Sequence, residues 1–149
     1  MLPLPVDGTV TRITLDNNQL YCDRIASLRT CAEYLCTNNK VARVTTSNRD
    51  AIVMSGQVNK LVITNNNFLS LANGSGTDRL LTGNTALTPR IIFTGNFVNN
   101  GYYGLWLRDH DYVDLVYMNN TFTNIVPVNR GSGTVSGVDV AVNNVGIDL

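Results

Sequence analysis

Residues 61–68 read Leu61-Val62-Ile63-Thr64-Asn65-Asn66-Asn67-Phe68, and the spacing inside this stretch decides the fold. Leu61 and Ile63 lie two apart, the period of a strand with one buried face. Asn66 follows three positions later and Phe68 two after that, which reads as a tight corner and then a new inward-facing position. The same spacing recurs in Ile13, Leu15, Asn18 and Leu20, and in Leu115, Tyr117, Asn120 and Phe122. Ile91, Phe93 and Asn96 repeat it with Phe97 one place early. Ile63 to Phe93 is 30 residues, Phe93 to Tyr117 is 24, and Leu15 to Ile63 is 48, two such intervals. Repeats of roughly 20–50 residues mark a solenoid.

A second apolar pair precedes the first within a repeat. Ile52 and Met54 lead into Leu61 and Ile63, and Leu105 and Leu107 lead into Leu115 and Tyr117. The connectors Ser55-Gly56-Gln57 and Arg108-Asp109-His110-Asp111 are turn-rich. Each repeat therefore holds two strands and, after its Asn, room for a third. Strands this short, stacked coil on coil, pair in parallel, and right-handed winding is the default for parallel connections. The expected fold is all-β, a right-handed parallel β-helix of about five to six coils. Asn18, Asn66, Asn96 and Asn120 fall at the same corner of successive coils, where Asn tolerates left-handed geometry and forms polar ladders along a stack.

Two kinds of segment depart from the pattern. Ile25, Leu28, Ala32 and Leu35 stand at helical spacing with Asp23 near the start and Asn38 and Asn39 beyond the end, which predicts a short inserted or capping α-helix over residues 22–36. Residues 70–79 and 127–137 are rich in Gly, Ser and Asn and read as protruding loops. The last stretch admits two registers: Val138, Val140, Asn143 and Val145 as a further corner unit, or Val138/Val140 and Val145/Ile147 as consecutive strands. Either ends on an exposed strand without a polar cap, and solenoid ends need caps. The expectation is one β-helix domain over residues 1–149, cut from a longer chain or closed against another subunit.

Composition agrees. Only 15% of residues are charged, against roughly 25% in ordinary soluble domains. Lys40 and Lys60 are the two lysines and Glu33 is the one glutamate, while Asn, Thr, Val and Ile favour corners and strands over helices. The formal net charge is zero, so the basic surplus that phosphate binding requires is missing and no nucleic-acid partner is expected. No apolar run reaches the length of a membrane span, and the Met-Leu-Pro-Leu-Pro start lacks a signal peptide's features. Cys22, Cys31 and Cys36 lack zinc-site spacing and read as mostly buried thiols of a reducing compartment; no metal and no cofactor is expected.

The run Gly104-Leu105-Trp106-Leu107 through Tyr117-Met118-Asn119-Asn120-Thr121-Phe122, and again Ala51 to Phe68, resembles the repeat of the pectin-lyase-like right-handed β-helix superfamily. The resemblance covers roughly residues 41–125. It implies the fold closely and the activity loosely, since that superfamily holds lyases, hydrolases, phage tailspikes and structural shafts.

The densest chemical cluster is Trp106, Arg108, Asp109, His110, Asp111 and Asp114. With Leu105 and Leu107 inside, alternation turns Trp106 outward, and an exposed indole beside Asp and Arg suits the apolar faces of sugar rings. Tyr102, Tyr103 and Tyr112 flank that strand and would extend the groove. The plainer reading packs Trp106 under a loop or into a subunit contact. Asp109 and Asp111 are the candidate carboxylate pair for glycoside hydrolysis, with His110 beside them; a solvated Asp-rich turn is the structural alternative. Trp106-Leu107-Arg108-Asp109-His110 is similar to a Trp-Ile-Asp-His string of pectate lyases with one residue added, but that family's calcium ligands and basic proton abstractor have no counterpart here.

These readings leave a β-helix module of a phage tailspike-like or fibre-like protein that contacts or processes cell-surface polysaccharide. The alternatives are a purely structural or assembly shaft, and a polysaccharide lyase or glycoside hydrolase. The expected partners are a glycan and further copies of the chain, with a trimer favoured. The expected setting is a virion or another extracellular appendage made in the cytoplasm.

Overall fold

The computed structural model describes residues 10–22, 24–42, 50–69, 79–83, 90–99, 103–107, 111–123, 125–129 and 134–146, with the backbone alone for Arg79, Gly83, Tyr103, Trp106 and residues 126–129. The described strands are β1 (Val10–Asp16), β2 (Gln19–Tyr21), β3 (Ala26–Thr37), β4 (Lys40–Ala42), β5 (Ile52–Thr64), β6 (Asn67–Leu69) and β7 (Arg79–Gly83). There follow β8 (Arg90–Thr94), β9 (Phe97–Asn99), β10 (Tyr103–Trp106), β11 (Asp114–Met118), β12 (Thr121–Thr123), β13 (Val126–Asn129), β14 (Asp139–Val142) and β15 (Val145–Gly146). Every pairing between them is parallel.

The strands stack into a β-solenoid with three faces. The short face is the six-stranded sheet β2-β4-β6-β9-β12-β15. The broad face stacks β1, the second halves of β3 and β5, then β8, β11 and β14. The remaining face stacks the first halves of β3 and β5 with β7, β10 and β13. Because β3 and β5 run through the corner between these last two faces, nine strands join into one continuous sheet. Six rungs are present, and four of them lie between the two end rungs.

The inward positions form columns. Tyr34, Leu61, Ile91 and Leu115 align on the broad face, as do Cys36, Ile63 and Phe93; Val41, Phe68, Val98 and Phe122 align on the short face. All are buried. Within this core the rings of Phe93 and Phe122 stack 6.2 Å apart at 17°. Fully burying one such aromatic or aliphatic side chain contributes about 1.5–3 kcal/mol, so the repeat of inward positions supplies most of the driving force.

Four expectations change. The helix expected over residues 22–36 is absent: residues 26–37 form β3, and no helix occurs among the described residues. The buried residues are Ala26, Leu28, Cys31, Tyr34 and Cys36, while Ala32 and Leu35 stay partly exposed. Pairing with β1 on one side and β5 on the other overrides the local helical spacing. Phe97 is not an inward residue. It is 37% exposed, and Val98 takes the core position beside Phe68 and Phe122. The left-handed residue of each corner is the one before the laddering Asn: Asn17, Asn38, Asn65, Gly95, Asn119 and Asn143 have φ of 53–65°. In the last rung, finally, Asp139 and Ala141 align with inward Leu115 and Tyr117, so Val140 and Val142 face outward. The two registers expected there both put the valines inside, one residue out of phase.

The rungs are also tied on their outer surface. Arg12, Glu33, Lys60, Arg90 and Asp114 are register neighbours on the broad face. Glu33 pairs with Arg12 at 2.6 Å and with Lys60 at 2.8 Å, and Arg90 pairs with Asp114 at 3.0 Å. Hydrogen bonds from Lys60, then from Arg12, hold the Glu33 carboxyl below its ordinary range. A carboxyl whose folded value is depressed adds stability above its unfolded value, and that stability is lost as pH falls through the folded one. Wild type is therefore expected to lose more melting temperature between about pH 6 and pH 3 than Glu33→Gln does, as read by circular dichroism at low salt. Equal losses would remove Glu33 from the account of acid stability.

Candidate functional site

Among the described residues, the short-face corner carries a continuous ladder of polar side chains. Asn18, Asn39, Asn66, Asn96, Asn120 and Asn144 stand one above another at successive corners. The Oδ1 of each of the last five accepts from the backbone N–H and the Nδ2 of the Asn one rung earlier, at 2.9–3.1 Å. Each Nδ2 of those five also donates to a main-chain carbonyl of the preceding rung: Leu15, Cys36, Ile63, Phe93 and Tyr117 in turn, at 2.7–2.9 Å. Asn39, Asn66, Asn96 and Asn120 are buried. The ladder satisfies a row of polar groups that would otherwise be buried at a cost of about 1–3 kcal/mol each.

Two members, Asn39 and Asn144, lay outside the sequence-read set. The helix expected over residues 22–36 leaves Asn39 beyond its end, and of the two registers open to the last stretch only one has a corner, on Asn143. The available signal was the doublet. Five of the six corners are Asn-Asn and one is Gly-Asn, the first residue supplying positive φ and the second the ladder. Cys36 adjoins this ladder, accepting from Asn39 Nδ2 at 3.4 Å, and burial pushes its thiol up to about 12. Cys31 is buried as well, and its thiol is raised mainly by desolvation. Both thiols therefore stay protonated and inert at neutral pH.

The cluster read as a saccharide or catalytic site is spread over β10, β11 and the connector between them. Trp106 lies in β10, in register with Thr82 and Asn129, while Leu105 aligns with Leu81 and Val128. Tyr103 begins the same strand. Tyr102, Arg108, Asp109 and His110 lie outside the described residues. Tyr112 is 3% exposed, and its hydroxyl donates to the carbonyl of Leu107 at 3.2 Å, so its ring lies under the surface rather than along an outer groove. Burial raises its phenol well above the ordinary value.

Asp111 and Asp114 both reach to the next rung. Asp111 Oδ1 accepts from the Thr134 N–H at 3.1 Å and from its hydroxyl at 2.6 Å. Asp114 Oδ1 accepts from the Val138 N–H at 2.8 Å, and its other oxygen meets Arg90. Thus one end of the cluster fastens the two last rungs together, a task that uses the carboxylates as acceptors of fixed donors. Asp16 does the same at the other end of the stack, taking Thr37 Oγ1 at 2.5 Å and Asn38 Nδ2 at 2.9 Å. Those two bonds hold its carboxyl below the ordinary value. Among the described residues, no three His, Cys, Asp or Glu side chains gather as metal ligands would. No protein-family model, no curated protein and no solved structure matches this chain.

Proposed function

We propose that this chain is a structural β-solenoid segment, a stiff rod within a fibre-like or spike-like assembly such as a viral appendage, and that it performs no catalysis by itself. The observation that carries the reading is the use of its acids. The carboxylates of Asp16, Glu33, Asp111 and Asp114 each bind donors on a neighbouring rung. A general acid or nucleophile needs a carboxyl turned toward substrate, with a pKa tuned to its task. The likeness to pectin-lyase-like proteins supports the rod through the repeat alone.

A second reading has one observation in its favour. Trp106 is a register neighbour of Asn129 on one side and of the buried Thr82 on the other, and an indole is a residue type that suits contact with a polysaccharide. An assay of reducing-sugar release from a panel of bacterial polysaccharides tests the first reading. No release is expected from wild type. Release that disappears in Asp109→Asn or Asp111→Asn would overturn the rod and establish a glycosidase or lyase. In the same panel, binding that Trp106→Ala weakens about tenfold or more, without release, would select the second reading.

A further inference from the structure

The outer side of the broad face is apolar where a solvent-facing sheet alternates to polar. Between the ion-pair column and the column of Thr37, Thr64 and Thr94 runs a third, formed by register neighbours Leu35, Val62, Ile92, Val116 and Val140. From the second rung to the sixth it contains no polar residue, and every member remains partly exposed. This is why the strands read as continuous apolar runs, Leu61-Val62-Ile63 and Ile91-Ile92-Phe93, the pattern of sheets covered on both sides. The last rung sharpens the point. It holds Asp139 and Ala141 at the inward register and Val140 and Val142 at the outward one, with Val138 and Val142 52% and 46% exposed.

We propose that this face is the docking site for a second copy of the chain, the two broad faces packed about a two-fold axis parallel to the solenoid axis. Size and charge both support the choice. Six rungs about 4.8 Å apart and five residues of about 3.3 Å give a face of roughly 29 by 17 Å. That is roughly 500 Å² per copy and about 1,000 Å² for the pair, the lower bound of a specific interface. Its centre is apolar, and its rim is polar through the first four rungs, the anatomy of a homodimer contact. The five charges of the ion-pair column are already paired within the chain, so closing the face strands none of them.

Charge also selects the axis. With the two-fold along the solenoid, each aliphatic of the central column meets its own counterpart, the ion-pair column meets the threonine column, and Arg12 stands opposite the partner's Asp16. With the two-fold along the strands, Glu33 would oppose the partner's Asp114 and Lys60 the partner's Arg90, like against like. The contact is a pair, not the trimer that the tailspike resemblance implies. It rests on the rod reading for its purpose, while its test reads mass and crosslinks and is independent of any sugar chemistry.

Sedimentation equilibrium on the full chain, up to about 300 µM, is expected to show a monomer–dimer equilibrium with a micromolar dissociation constant. Ile92→Lys is expected to weaken the dimer at least about tenfold, with unchanged circular dichroism and melting at concentrations where both proteins are monomeric. Val116→Thr, which keeps the β-branched shape, should weaken it less and guards against misfolding of the lysine variant. Val62→Cys alone should form a disulfide-linked dimer under mild oxidation where wild type does not. A protein monomeric at the highest concentration, a trimer, a dimer indifferent to Ile92→Lys, or a Val62→Cys that links only to Ile92→Cys would each overturn the proposal.

Discussion

Asn96→Ala is expected to lower folding stability by about 3–5 kcal/mol, a cost reserved for broken buried networks. The Asn96 Oδ1 accepts the Asn66 N–H and Nδ2, and its Nδ2 donates to the carbonyls of Ile63 and Thr94 and to Asn120 Oδ1. Alanine leaves the buried Asn66 N–H unbonded and takes a donor from Ile63. For a chain of this size each kcal/mol moves the melting temperature by about 2–4 °C, so a fall of about 10 °C is expected by calorimetry. Position matters as much as chemistry. Asn18 stands at the start of the ladder and is exposed, and Asn18→Ala should cost about 1 kcal/mol or less. Equal costs at the two positions would contradict a ladder whose worth comes from burial.

Asn96→Asp separates hydrogen bonding from shape. It keeps the acceptors for Asn66 but turns oxygen against the oxygens of Ile63 and Asn120. The buried carboxyl is then best held protonated, so its folded pKa rises above the unfolded value. Stability contributed this way is present below the unfolded pKa and lost as pH rises through the folded one. Relative to wild type, Asn96→Asp should therefore be less handicapped at pH about 4 than at pH about 7. Urea midpoints at the two values provide the check.

Gly56→Ala carries the second large effect, expected at about 3 kcal/mol or more. Between the two halves of β5 there is a bulge: Leu28 pairs with Met54 but Thr30 with Gln57, so two residues, Ser55 and Gly56, oppose Arg29. A Cβ on Gly56 would lie 1.6 Å from the Arg29 carbonyl oxygen and 2.4 Å from its carbon. Both are backbone atoms, so relief requires β3 and β5 to separate where the chain turns from one face to the next. The neighbouring Ser55→Ala removes only a 3.4 Å bond to the Leu28 carbonyl from an exposed residue and should cost under about 0.5 kcal/mol. Urea denaturation of both variants measures the contrast, and a Gly56→Ala within about 1 kcal/mol of wild type would mean that the bulge is wrongly placed.

The stacked architecture was legible because its two signals are local. An apolar pair two apart and an Asn three later fit inside eight residues, and Leu61 to Phe68 states both. Residues 26–37 were illegible for the opposite reason. Ile25, Leu28, Ala32 and Leu35 satisfy a helical period, and only pairing with segments 21 and 27 residues distant along the ladder selects a strand. The Phe97 error has a similar origin: hydrophobic size pointed to Phe97, whereas the fixed distance from Asn96 placed Val98 inside. In the last rung the valines advertise a core register that the Asn144 corner forbids.

The cluster beginning at Trp106 was legible as a set of residue types and much less as a site. Sequence alternation has no term for Tyr112 folding under Leu107, nor for Asp111 and Asp114 reaching across to Thr134 and Val138. Those bonds are set by which rung lies next, and no spacing within a single repeat encodes them. The doublet Asn-Asn is the exception. It was present in the sequence at five corners, and once the first residue is assigned to positive φ, the second locates the ladder, Asn39 included.

Hydrogen exchange of the asparagine side-chain amides, followed by ¹⁵N-resolved NMR, tests the solenoid most directly. The triplet Asn65-Asn66-Asn67 contains its own control, since Asn66 is buried between two exposed neighbours. The Nδ2 protons of Asn39, Asn66, Asn96 and Asn120 are expected to exchange on the timescale of the core backbone amides, about minutes to hours, while those of Asn65 and Asn67 exchange at once. Side chains of Asn66 and Asn96 that exchange as fast as Asn65 and Asn67 would contradict the ladder, and with it the register of the stacked rungs.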